Sequence, residues 1–167
     1  DALNFLGDVR VAYGGSTAIA PLRLGDLPDR TAALDTLDVL VFNAVDTASL
    51  STAQHRAIRA WVLAGGHLIL SGGPGAQLTL GGFADIAPAG IGNALISSSV
   101  APLTALVAPE SVETTFEALT ATVPMVSLVS LRAGARVLAT SGDTPLIARS
   151  LYGRGLIDQL AFDPSLA

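Results

Sequence analysis

The chain predicts an α/β domain built on a mixed sheet, with a parallel core and an antiparallel C-terminal hairpin. Val39 to Phe42 and Leu68 to Leu70 are short continuous apolar runs, as strands covered on both faces require. A capped helix lies between them, so Leu37 to Gly75 reads as strand, loop, helix, turn, strand and glycine-rich loop, one complete βαβ crossover. Near the C terminus, ARVLATSGD, TPLIARSLYGRG and GLIDQLAFDP read as three strands. The turns that join them, Ser141-Gly142-Asp143 and Tyr152-Gly153-Arg154-Gly155, are too short for anything but antiparallel pairing.

The elements follow in order. Residues 1–24 contain DVRVAYGG and STAIAPLRL, half-apolar runs separated by Gly14 and Gly15, and the first is expected to be a strand. LGDLPDRTAALDTL has the Pro and Asp content of a loop ending in a short helical turn at about Thr31 to Leu34. It leads into a strand at Asp38 to Val45. Ser51 then stands as a helix N-cap, with Gln54 three residues later as its capping-box partner. Helical spacing puts Ala53, Ala57, Ile58, Trp61 and Val62 on the sheet side and Gln54, His55, Arg56 and Arg59 on the solvent side. Gly65 and Gly66 supply the C-terminal cap, and His67 to Leu70 is the next strand.

Seven glycines between Gly72 and Gly92 predict a long loop, of a length that in compact domains goes with function or mobility. From Ala94 to Leu131, LISSSVAPLTALVAP and VETTFEALT are candidate strands punctuated by Pro102, Pro109 and Pro124.

Length and composition bound the function. A chain of 167 residues predicts a single domain over 1–167 that buries roughly two-thirds of its unfolded surface. No apolar run reaches the roughly 18 residues of a membrane span, so this piece is expected to be soluble. It begins at Asp1 without a Met and ends at DPSLA, as a domain excised from a longer chain would, with any leader or membrane anchor outside it. All nine basic residues are Arg, scattered from Arg10 to Arg154, and the formal charge is −5, which excludes nucleic acid and anionic membranes as expected partners. The absence of Cys removes disulfides and thiolate chemistry. Two His residues on separate elements, with no H-x-x-x-H or D-x-D-x-D-G pattern, predict no metal site. No phosphate-binding glycine signature is present, so no cofactor is expected.

In sheets of this kind ligands bind where strands end, which makes Asn43 to Ser49 and Ser71 to Gly75 the place to look. The loop candidates are Asn43, Asp46, Ser71, Gly72, Gly73 and Gly75. As a nucleophile Ser71 needs an oriented His, yet His55 is placed on the outer helix face and His67 at the opposite end of its strand. Ser71 also lacks the G-x-S-x-G spacing, and a structural turn explains its surroundings better. Asp46 is the best-placed acid, although a bare Asp at a strand end more often accepts a backbone N–H. A glycosidase pair needs a second carboxylate, for which Asp85 and Asp163 are the candidates. Tyr152, Arg154 and Phe162 are expected to serve hairpin packing.

LILSGGPGA, at Leu68 to Ala76, resembles the Ser-Gly-Gly-Pro-Gly loop of class I glutamine amidotransferases. The resemblance extends to amidotransferase-like domains of bacterial, membrane-anchored extracytoplasmic proteins of uncharacterised function. It is carried by Asp38 to Val41, Leu50 to Gln54, Trp61 to Gly66, Gly72 with Gly73, and the later GARVLA, PLIARSLYGRG and LAFDPS. It implies a flavodoxin-like or class I glutamine amidotransferase-like three-layer sandwich outside the cytoplasmic membrane, anchored through segments outside this chain. The family's Cys, His and Glu triad has no counterpart here, so the resemblance implies a pseudoenzyme with no catalytic residue to carry over. The expected function is a non-catalytic extracytoplasmic module that binds a protein or envelope component. The alternatives are a hydrolase centred on Ser71 or Asp46, and a small-ligand or carbohydrate site under the Gly72 to Gly92 loop.

Overall fold

The computed structural model describes residues 18–106 and 122–166. The strand expected in DVRVAYGG and the candidate strand VETTFEALT fall outside the described residues.

Seven strands and two α-helices are present among the described residues. Strand β1 (Val39–Phe42) enters the helix α1 (Thr52–Ala64), which returns the chain to β2 (His67–Leu70). The short helix α2 (Ala76–Leu80) follows, then β3 (Gly90–Ser99), β4 (Thr122–Val129), β5 (Arg136–Ser141), β6 (Thr144–Tyr152) and β7 (Gly155–Leu160). The main sheet has the order β1-β2-β7-β6-β5, and β3 and β4 form a separate antiparallel pair. Parallel pairing joins β1 to β2 and β2 to β7, while β7, β6 and β5 are joined antiparallel through tight turns.

Local sequence accounts for the first crossover. The Ser51 hydroxyl accepts the Gln54 N–H and the Gln54 carbonyl oxygen accepts the Ser51 N–H, so the capping box fixes where α1 starts. At its other end Gly65, at φ 133°, takes a conformation L side chains rarely adopt. A side chain on Gly66 would stand inside the Trp61 ring, so this glycine lets Trp61 lie flat against the turn and bury itself in the core. Ala57, Ile58 and Val62 bury with it, against Leu40, Phe42, Leu68, Leu70 and Ile157 of the sheet. Ala53 is exposed, contrary to the expected face.

Nor is the opposite side of the helix free. The Gln54 amide donates to the carbonyls of Leu24 and Leu27, and Arg59 forms a two-point ion pair with Asp85 at 2.8 Å while donating to the Gly82 carbonyl. His55 meets the Phe83 ring edge-on. The Gln54 bonds hold the segment before β1 against α1, and the Arg59 and His55 contacts hold the segment after β2 there. That segment corrects the expected long loop: Gly73–Gly75 is a 3-10 turn, α2 follows, and Phe83, Ile86 and Ala87 are buried in the α1 core.

The fold class is corrected as well. A three-layer flavodoxin-like sandwich needs helices on both faces of a mostly parallel sheet. Here the alternation in β1, β2, β7 and β6 puts Leu40, Phe42, Leu68, Leu70, Ile157, Gln159, Leu146 and Ala148 on one face. This face is covered in two places, by α1 with the segment around Phe83, and by β4, whose Val123, Met125, Val126 and Leu128 pack with Leu146 and Ala148. Neither α-helix packs on the other face, where Val39 is 45% and Leu151 74% exposed while Ala139, Ile147 and Leu160 are half-buried against the second cluster. The result is a β-rich, mixed arrangement in which only one helix serves as a crossover between parallel strands.

Candidate functional site

The strand-end loops named from sequence come together, but they are tied to one another. The Ser71 N–H donates to the Phe42 carbonyl, Gly72 N–H to Phe162, and Gly73 N–H to Ala161. These three amides are therefore engaged by carbonyls. A methyl group on Gly72 would stand 2.4 Å from the Ala161 carbonyl carbon and the Leu160 oxygen, and Gly73 sits at φ 68° beside the Asp163 backbone. One on Gly75 would stand 2.7 Å from the Ala44 methyl. These glycines permit close approach of backbones.

Ser71 is wholly buried, and its hydroxyl has no hydrogen-bond partner. Asn43 donates to Asp163 at 2.8 Å, and the same Asp163 oxygen accepts from the backbone and hydroxyl of Ser165. Asp46 accepts the Ala48 N–H as the cap of a 3-10 turn at Thr47–Ser49, and it is exposed. The buried Thr47 hydroxyl links the two loops, donating to Thr79 and accepting from Gly82. Asp85 is committed to Arg59, whose hydrogen bond holds its carboxyl below the usual range. The same bond raises the Arg59 guanidinium. Phe162 is a core residue.

Among the described residues the densest charged cluster lies elsewhere, on the sheet face away from α1. Asp158 of β7 accepts two hydrogen bonds from Arg149 of β6, Nε to Oδ1 and Nη2 to Oδ2, both at 2.6 Å. His67 of β2 sits with Nε2 at 2.9 Å from the second oxygen. The Asp158 side chain is 8% exposed, against 24% for His67 and 26% for Arg149. Burial by itself would push its carboxyl up, but the hydrogen bonds from Arg149 and His67 outweigh burial and hold it below the usual carboxylate range. The same bond raises the Arg149 guanidinium.

Register explains the cluster. In the β6–β7 hairpin Tyr152 faces Gly155, and counting outward puts Arg149 opposite Asp158. In the β5–β6 hairpin Arg136 faces Arg149. Both hairpins were read from sequence, so their turn lengths carried this information. His67 could not be found that way, because it reaches Asp158 through the parallel β2–β7 pairing.

Chemically the cluster is an ion-pair network. A carboxylate paired with His can stabilise an imidazolium, but this one is already neutralised by a bidentate guanidinium. Ser71 lies four residues along the strand from His67, about 13 Å at the usual rise. No group of three or more His, Cys, Asp or Glu among the described residues could hold a metal ion.

No family model matches the chain. No curated protein matches it either. Solved structures do. The cytoplasmic protein STM1381 of Salmonella typhimurium matches with a TM-score of 0.58 at 18% identity, over 81% of this chain and 64% of that one. The cytoplasmic protein STM3548 of the same organism matches with 0.57 at 17% identity and the same coverage. The mmIFT52 N-terminal domain matches with 0.51 at 14% identity, over 81% of this chain and 70% of that one. This chain therefore spans just under two-thirds of the two Salmonella proteins. At these identities the likeness is one of fold.

The resemblance to glutamine amidotransferases is thereby corrected. None of these three neighbours is described as an amidotransferase, and the β-rich, half-antiparallel sheet is not a flavodoxin-like sandwich. The glycine pair that carried the resemblance serves backbone packing against Ala161. The pseudoenzyme reading and the extracytoplasmic, membrane-anchored placement rested on that resemblance and lose its support. No helix among the described residues is long and apolar enough to cross a membrane.

Proposed function

We propose that this domain is a non-catalytic module whose task is to bind another protein. The observation that supports the reading is that each reactive side chain at the strand ends is either sealed or already engaged: Ser71 is buried without a base, Asp163 accepts from Asn43 and Ser165, and Asp46 caps a turn. A hydrolytic site needs a nucleophile and base within hydrogen-bond reach and donors left over for the developing charge. Among the described residues those loops offer neither.

The test is turnover. Purified protein is incubated with nitrophenyl esters, anilides and glycosides and with a fluorophosphonate label, beside Ser71→Ala and Asp46→Asn variants. The expected result is no product above buffer and no label in any of the three. Turnover or labelling that disappears in either variant overturns the proposal.

A further inference from the structure

Arg136 and Arg149 stand directly opposite each other on neighbouring antiparallel strands and share the sheet face away from α1, Arg136 exposed and Arg149 half-buried. Like charges at directly opposed positions are destabilising. Asp158 relieves only one of them, since both of its oxygens are engaged by Arg149 and one also by His67. Among the described residues Arg136 has no carboxylate partner. The two guanidinium groups, with Gly134, Ser150, Leu151 and Leu156, line a shallow hollow of about 180 Å³. Leu151 and Leu156 are themselves a cross-strand pair, and Leu151 is the most exposed of the large apolar side chains. A chain of formal charge −5 therefore carries, on the sheet face away from α1, a net positive hollow with an apolar side.

We propose that this hollow receives a carboxylate of a protein partner, an Asp or Glu side chain flanked by an apolar residue. The inference rests on the binding reading above and names the chemistry of the partner. Arg136 presents a planar fork that a carboxylate matches with two parallel hydrogen bonds. Arg149, held in place by Asp158, adds field without having to release its own partner. Leu151 and Leu156 supply the surface against which an adjoining leucine-sized side chain loses water. The like-charge repulsion within the arginine pair is relieved when the carboxylate arrives, which makes the free state the strained one.

The test uses the peptide acetyl-Leu-Glu-Leu-amide and its Gln counterpart, with acetate and inorganic phosphate as bare anions, followed by NMR shifts of the β5 and β6 amides and the arginine Nε–H groups. The Glu peptide is expected to bind saturably and weakly, since exposed ion pairs are individually weak. The Gln peptide is expected to leave the spectrum unchanged. Arg136→Gln, a change at an exposed position, is expected to weaken binding about fivefold. Leu151→Asp, which places a carboxylate beside the hollow, is expected to abolish it. Binding should fall as salt is raised. A Glu peptide that shifts nothing, or binds Arg136→Gln equally well, overturns the inference. So does phosphate or acetate binding as tightly as the peptide, which would mark a bare anion site. Any of these outcomes with no Ser71-dependent turnover leaves the binding reading standing, whereas such turnover removes both.

Discussion

Replacing Asp158 with Asn removes the charge at the centre of this ion-pair network while keeping the side-chain shape. Three short contacts depend on that carboxylate, two from Arg149 and one from His67. Breaking a buried ion pair from one side costs about 3–5 kcal/mol, because the remaining charge is left without a partner. Arg149 and His67 are each about a quarter exposed, so water recovers part of that loss. The expected destabilisation is therefore near the low end, about 3 kcal/mol, or about 6–12 °C in melting temperature for a domain of this size.

Acid provides an internal control. The folded-state carboxyl is held below its ordinary value by the Arg149 and His67 hydrogen bonds, so its stabilisation is fully present above an unfolded value of about 4 and is lost as pH falls through the lower folded value. Urea denaturation followed by far-UV circular dichroism at neutral pH and at about pH 2.5 measures both. The gap between wild type and Asp158→Asn should be wide at neutral pH and should narrow in acid. The double variant Asp158→Asn/Arg149→Gln should recover part of the loss, since it removes the stranded guanidinium. A gap under about 1 kcal/mol at neutral pH, or one of equal size in acid, would refute the network as described.

Two further predictions concern the packing that closes the strand-end loops and seats α1. Gly72→Ala forces a methyl group to 2.4 Å from the Ala161 backbone and should cost about 3 kcal/mol or more, whereas Gly25→Ala, with nothing within 4 Å, should stay within about 0.5 kcal/mol in the same denaturation assay. Ser51→Ala removes one capping bond and should cost about 1 kcal/mol; Gln54→Ala should cost more, because that side chain also holds the carbonyls of Leu24 and Leu27, and equal losses would show that those two bonds contribute nothing.

Some of this was legible in advance. The Ser51–Gln54 box, the Gly65 cap and the two C-terminal turns are written in residues a few positions apart, and the structure has them where they were expected. The Gly72 to Gly92 segment was misread because its glycines drew more weight than the helical spacing of Leu80, Phe83, Ile86 and Ala87, all of them buried. The continuous apolar run Val39 to Phe42 predicts cover on both sides, yet its alternate residues differ in burial because α1 packs on one side alone. Ser71 stands after a strand, which made it a candidate nucleophile beside the favoured structural turn, and its depth and unpartnered hydroxyl are set by contacts that no local pattern encodes.

The amino-acid sequence by itself determined the caps, the tight turns and, through turn length, the opposition of Arg136, Arg149 and Asp158 across two hairpins, since hairpin register follows from residues adjacent in the chain. The tertiary structure alone decided that β7 lies parallel to β2, which carries His67 to a carboxylate 91 residues away, and that α1 packs on the face bearing Leu40, Phe42, Leu68 and Leu70. Parallel pairing and layer packing depend on which apolar surfaces meet across long stretches of chain, and no local pattern of residues specifies that choice.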